Sequence, residues 1–180
     1  MQKILVPCDF SEQAINAVRF ALDLADQTTR EVHLLHVIEL PIIHDSMLMP
    51  TLSFEAAMLG DLNDQAAERF EKLKKELASK VPVITKVSFG STSLMILDYI
   101  DESGIDMVVM GTKGVNGLRE LLIGSNAEKI VRTSPCPVIT VRKECQLHAM
   151  KNIVFPNSLE DHQEELVKRI KVLQEFFKAT

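Results

Sequence analysis

The stretch "IDMVVMGTKGVNGLRELLIGSNAEKIVRTS", Ile105 to Ser134, decides how this chain is read. It opens on an apolar, β-branched run, passes through a glycine-rich segment and closes on a helical pattern. The chain has only seven glycines, and four of them lie from Gly111 to Gly124. Their spacing is G-x2-G-x9-G-S, at Gly111, Gly114, Gly124 and Ser125. Gly111 stands where the strand ends, Gly114 frees the chain to bend back, and Gly124-Ser125-Asn126 opens the next helix. Unpaired N–H groups and the positive end of a helix dipole meet at such a junction, which makes it an anion site. Glycines let those amides approach phosphate oxygens, and the Ser125 hydroxyl adds a donor. Lys113 and Arg119 supply nearby charge. The competing reading is a tight turn and a helix cap with nothing bound. Three glycines and a capping serine at one strand-to-helix junction favour a bound ligand.

The segment is not one of the common phosphate motifs. No glycine begins G-x-x-x-x-G-K-[ST], and G-x-G-x-x-G is absent. The rest of the chain repeats the strand-then-helix alternation. "KILVPCD" reads as a buried strand and "SEQAINAVRFALDLADQT" as a helix capped by Ser11, with Ala14, Ala17, Val18, Ala21, Leu22 and Ala25 on its inner face. "EVHLLHVIEL" is a second strand, followed by a proline-bounded loop, "PIIHDSMLMPTLS". A long helix runs over "FEAAMLGDLNDQAAERFEKLKKELASK", with an expected i,i+4 pair at Glu71–Lys75. "VPVITKVSFG" and "STSLMILDYIDESG" supply the third strand and helix, the latter capped by Ser91 or Ser93. "VITVR" is the fifth strand. Such alternation implies βαβ crossovers and a parallel sheet covered on both faces. We expect a five-stranded α/β domain over residues 1–143, although periodicity leaves the strand order open.

Residues 144–149 read as a linker and residues 150–180 as a partial second repeat of one βα unit. Aligning Pro7 with Pro156 sets "MQKILVPCDFSE" over "MKNIVFPNSLED", and a helical stripe follows at Leu166, Val167, Ile170, Leu173, Phe176 and Phe177. The alternative is a strand and helix that match by accident. One such unit cannot close a core of its own. Either the sequence is part of a longer tandem chain, or the tail packs on the first domain or on a neighbouring molecule.

Composition narrows the function classes. Apolar residues make up 46% and charged residues 25%, as in ordinary globular proteins. A formal charge of −5 and a pI near 5.6 argue against nucleic acid as a main partner. No run approaches the roughly 18 apolar residues of a membrane span, and "MQKILVPCDF" lacks the pattern of a signal peptide. Three widely spaced cysteines, Cys8, Cys136 and Cys145, indicate neither a disulfide framework nor a zinc site, so a reducing cytoplasm is the default. His33 and His36 lie three apart on a strand and point to opposite faces, which argues against a shared metal. His44, His148 and His162 are scattered. Met47, Met49 and Met58 read as gap fillers. Cys8 is read as a small packing residue near the ligand rather than a redox sensor.

Asp9 directly follows the first strand. Ligands of open α/β sheets bind beyond the carboxyl ends of the strands, where the winding direction reverses. If the first and fourth strands are neighbours there, Asp9 faces Gly111 across a crevice. A carboxylate is repelled by phosphates, so it suits ribose hydroxyls or a base amino group; its competing role is capping the first helix near Ser11.

At this point "KILVPCDFSE", "VHLLHVIE", "DMVVMGTKG" and "LLIGSNAEKIVRTSPCPVITVR" resemble a universal stress protein domain of the nucleotide-binding type, over Lys3 to about Arg142. The G-x2-G-x9-G-[ST] signature is matched at every defined position. The resemblance implies an open parallel sheet of order 3-2-1-4-5, Rossmann-like and adenine nucleotide alpha hydrolase-like. It implies that Pro7 and Asp9 border an adenosine and that Val37 offers its backbone to the adenine. It implies that Met110, Gly111, Gly114, Gly124, Ser125 and Asn126 surround the phosphates and ribose. It further implies a homodimer through the last strand, "VITVR". In the tail Asp9 aligns with Ser158, a departure from the nucleotide pattern.

The preferred expectation is therefore a cytoplasmic stress-response module that binds ATP, or ADP or AMP, with magnesium carried by the phosphates. A slow Mg-dependent ATP hydrolase or nucleotidyl-transfer enzyme on the same scaffold is the alternative, without a nucleophile or base that the sequence can name. A flavin-binding redox protein ranks last, since the chain has no tryptophan and only Tyr99 as tyrosine.

Overall fold

The structure, a computed structural model, describes residues 3–28, 30–39, 52–112, 124–147, 150–155 and 164–177. The chain divides into two compact units, Met1–Glu144 and Cys145–Thr180. The first contains β1 (Lys3–Pro7), α1 (Glu12–Asp26), β2 (Glu31–Ile38), α2 (Leu52–Leu77), β3 (Val83–Phe89), α3 (Thr92–Ser103), β4 (Met107–Gly111), α4 (Ser125–Thr133) and β5 (Val138–Val141). The second contains α5 (Glu164–Phe177).

The five strands form one parallel sheet of order β3-β2-β1-β4-β5. β1 lies at its centre because it is apolar on both faces: Ile4, Leu5 and Val6 are each no more than 1% exposed. β4 is the same, with Met107 to Met110 all buried. Strands covered on both sides read as continuous apolar runs rather than alternating ones, which is how the sequence shows them. On one face Leu5, Leu35, Val108 and Met110 pack with Ile96 and Ile100 of α3 and Ala127 and Ile130 of α4. Side chains alternate along a strand, so Ile4, Val6, Val32 and Leu34 face the other way, towards α1 and α2. There Leu34 lines a small cavity with Val18 and Leu22 of α1 and Leu77 of α2. The helices thus cover both faces of a Rossmann-like sheet.

The amino ends of the strands are tied by polar contacts. The Lys3 amide donates to Asp106 at 3.0 Å, and Lys3 Nζ donates to the Ser103 carbonyl at 2.9 Å. His33 is buried, with Nε2 3.1 Å from Glu31 Oε1 and Nδ1 2.9 Å from Tyr99 Oη. A carboxylate only accepts, so Nε2 is the donor to Glu31. This is a packing role, and it keeps His33 away from His36.

Three local expectations change. Glu71 pairs with Lys74 rather than Lys75, and Lys72 pairs with Glu76 at 3.9 Å. Ser91 is the N-cap residue of α3, but its side chain makes no capping bond. Residues 151–155 form no strand, and every described ladder belongs to the five strands of the first unit. Leu166, Val167 and Val172 of α5 are exposed. Residues 41–51 of the proline-bounded loop, with His44, Met47 and Met49, lie outside the described residues, as do His148, Ser158 and His162.

Gly111 fixes where α1 sits. A Cβ built on it would lie 2.6 Å from both the carbonyl carbon and oxygen of Gln13 and 3.0 Å from the Ala14 nitrogen. The end of β4 therefore touches the backbone of the first turn of α1, a contact no side chain can enter. Gly111→Ala should destabilise the fold by about 1–3 kcal/mol through overpacking. Gly60→Ala, in an exposed stretch of α2 where a Cβ meets nothing within 4 Å, should stabilise it by about 0.5–1 kcal/mol. Urea titrations of both variants check this; an unchanged midpoint for Gly111→Ala contradicts it.

Candidate functional site

β1 is the point where the chain reverses its direction of winding: β2 and β3 are added on one side, β4 and β5 on the other. Beyond the carboxyl ends of β1 and β4 opens a cleft of about 370 Å³. That volume falls within the usual range of small-molecule sites. Eight of the nine residues singled out from the sequence line it. Pro7 and Asp9 come from the end of β1, Val37 from β2, and Met110 and Gly111 from β4. Gly124, Ser125 and Asn126 come from the start of α4. Gly114, together with Lys113 and Arg119, lies outside the described residues.

The turn from β1 into α1 is built from short local bonds. The Ser11 amide donates to Asp9 Oδ1 at 3.0 Å, and Ser11 Oγ accepts from the Ala14 amide at 3.2 Å. Ser11 is thus a true N-cap, and Asp9 spends one oxygen bracing it. The same carboxylate borders the cleft and is exposed, so capping and facing a ligand are compatible here. From the other side, the Cys8 amide donates to the Leu35 carbonyl and His36 Nδ1 donates to the Cys8 carbonyl, each at 2.8 Å.

Three helices begin at this cleft, and their first amides are treated differently. α1 has Ser11 and Asp9. At α3 the Glu39 carboxylate accepts from both the Thr92 hydroxyl, at 2.6 Å, and the Thr92 amide, at 3.1 Å. Those bonds, the hydroxyl's first, hold Glu39 below its ordinary carboxylate pKa. α4 instead starts on Gly124, which has no side chain to cap with. Its first-turn amides open on the cleft beside the Ser125 and Asn126 side chains. Thr112, which also lines the cleft, is 3% exposed, and its Oγ1 is buried without a hydrogen-bond partner among the described residues. The cleft is therefore acidic where Asp9 and Glu39 stand and, where α4 begins, is lined by a helix start whose N-cap glycine offers no side-chain cap. An elongated molecule with an anionic end fits that polarity.

Gly111 is in the cleft, but its missing side chain makes room for α1 rather than for a ligand. Sequence reasoning passed over Glu39, Thr92 and Thr112 and weighed His36 only as a metal ligand; all four line the cleft. Glu39 directly follows β2, and Thr92 opens α3 three residues after the end of β3, so the rule that selected Asp9 after β1 points to the same ends of these strands. Among the described residues no group of three His, Cys, Asp or Glu side chains is placed to hold a metal ion. No described helix is long and apolar enough to cross a membrane.

Cys8 is only 2% exposed although it borders the cleft. Burial, only partly offset by the Phe10 amide that donates to it, pushes its thiol up to about 11. The thiolate is the reactive form, so Cys8 is chemically quiet at neutral pH. Iodoacetamide at pH 7.5 should leave Cys8 unmodified in the folded protein and alkylate it fully in 6 M guanidinium, as read by peptide mass spectrometry. Rapid labelling of folded Cys8 contradicts this.

The profile of the Universal stress protein family matches residues 1–142. Universal stress protein MJ0577 of Methanocaldococcus jannaschii is 31% identical over 157 residues, covering 79% of this chain and 96% of that one. Its solved structure superposes with a TM-score of 0.62 over 80% of this chain and 97% of its own. Universal stress protein UspA from Lactobacillus plantarum gives a TM-score of 0.64 at 26% identity, covering 78% of this chain and 97% of that one. A family protein from Arabidopsis thaliana, solved with AMP bound, shares the fold at 18% identity and a TM-score of 0.52, over 79% of this chain and 92% of its own. With the profile spanning the whole five-stranded unit, the chain belongs to the universal stress protein family.

Proposed function

We propose that the cleft binds an adenine nucleotide, ATP foremost and ADP or AMP by the same contacts, and that the protein acts as a regulatory stress-response module in the cytoplasm. The observation that carries this reading is the uncapped start of α4 at Gly124, facing Asp9 and Val37 across one cleft at the switch point of the sheet. Phosphates take the amides of Ser125 and Asn126 and the hydroxyl of Ser125, with Gly124 keeping the approach clear; Gly114, expected beside them, lies outside the described residues. Magnesium travels with the phosphates. The Asp9 carboxylate accepts from the ribose hydroxyls, beside Pro7. The backbone of Val37 meets the adenine edge, and Met110 packs under the nucleoside. The AMP complex of the Arabidopsis fold relative is in keeping with this reading. Assembly follows from the sheet edge: β5 pairs only with β4 among the described strands, with Thr140 exposed and Ile139 half-buried, and a second copy covering it makes a homodimer.

A ligand that binds only the folded form stabilises it by about 2.7 kcal/mol at a hundredfold excess over Kd. For a domain of this size that is a rise in Tm of about 5–10 °C. ATP with magnesium should give such a rise, and GTP a clearly smaller one. Asp9→Ala should cut the ATP-induced rise by half or more, a charged hydrogen bond being worth about 1.5–3 kcal/mol. Differential scanning fluorimetry reads all three; no shift with either nucleotide contradicts the proposal.

A further inference from the structure

Phe10 stands in the left-handed region at φ 62, which a residue with a side chain rarely adopts. Its ring is held on three sides. The His36 ring centroid lies 4.8 Å away and that of Phe70 4.9 Å away, and the Arg69 guanidinium sits 4.0 Å over the ring. Arg69 and Phe70 belong to α2, and Phe70 is itself buried. His36 also donates from Nδ1 to the Cys8 carbonyl at 2.8 Å, so β2 grips the residue on the other side of Asp9. Cys8 and Phe10 are thus fixed from β2 and α2, while Asp9 between them borders the cleft. The ring contacts offset the strain of the turn; without them nothing in a phenylalanine favours that backbone.

We propose that Phe10 is a positioning residue for sugar recognition: the box of His36, Phe70 and Arg69 clamps the β1–α1 turn in its left-handed form, which sets the Asp9 carboxylate against the ribose hydroxyls and couples α2 to that end of the cleft. The inference rests on the nucleotide reading of the cleft and adds its control by α2. Coupling is reciprocal, so a ligand that uses Asp9 also strengthens the docking of α2.

The test compares ATP with 2′,3′-dideoxy-ATP, which lacks both ribose hydroxyls, by isothermal titration calorimetry in the full chain. The wild type should prefer ATP by about tenfold, the worth of one such hydrogen bond set. Phe10→Gly permits the left-handed turn but removes the ring, and its preference should fall to about twofold or less, with dideoxy-ATP affinity nearly unchanged. Phe70→Leu, which keeps most of the core volume, should move the same way by a smaller factor and stands in if Phe10→Gly does not fold. Hydrogen exchange around Arg69 and Phe70 should slow on adding ATP and slow less on adding dideoxy-ATP. If both nucleotides weaken together and the preference persists in the variants, Phe10 is a packing residue only and the inference is overturned. A wild type that binds both nucleotides equally overturns the sugar role of Asp9 and this inference, leaving the cleft as a nucleotide site. A wild type that binds neither overturns the nucleotide reading itself.

Discussion

The structure turns on one contact: the end of β4 lies against the backbone of the first turn of α1, at Gly111, where a Cβ would come within 2.6 Å of Gln13. The inner face of α1 is built for the same closeness, with Ala14, Ala17, Ala21 and Ala25 all buried. Drawing α1 down onto β4 places its N-terminal turn, and Asp9 with it, around the same cleft as the start of α4. β1 and β4 are direct neighbours, in register from Ile4 with Met107. Their onward connections leave in opposite senses, and the space between them is the cleft. The site is therefore a consequence of packing before it is a consequence of any motif.

The chemistry of the cleft follows from how its helix ends are closed. Serine and carboxylate side chains close α1 and α3, at 3.2 Å and 3.1 Å from the amides they satisfy. A glycine leaves α4 open. Open amides in a partly enclosed site attract an anion, and carboxylates on the opposite wall exclude phosphate from there and suit hydroxyls instead. For the nucleotide proposed above, this division favours one orientation over its reverse. The half-buried rings of Phe10 and His36 join the Asp9 wall to α2 through side-chain packing.

The strands and helices of the first unit were legible because burial on two faces leaves apolar runs, and amphipathic helices leave a stripe. Strand order was not, since periodicity says nothing of neighbours; only the likeness of "DMVVMGTKG" and its companions to a known family supplied it. Of the residues lining the cleft, Asp9 was legible by the rule that ligands bind beyond strand ends, and Gly124 by the glycine spacing ahead of a helix. Glu39 with Thr92 was hidden because the two are 53 positions apart and meet only when β2 and β3 pair. Gly111 was identified as a site residue for a reason the structure replaces, since its bare Cα faces α1. In the tail, residues 151–155 are not a strand, since strand formation depends on long-range pairing that no local pattern encodes.

The central claim is that the open end of α4 and the Asp9 wall hold the two ends of one adenine nucleotide. A crystal structure grown with ATP and magnesium tests it most directly. The account predicts phosphate oxygens within hydrogen-bond distance of the Ser125 and Asn126 amides, with the ribose hydroxyls on Asp9. Nucleotide bound elsewhere, or in the reverse orientation with its base at α4, would contradict it.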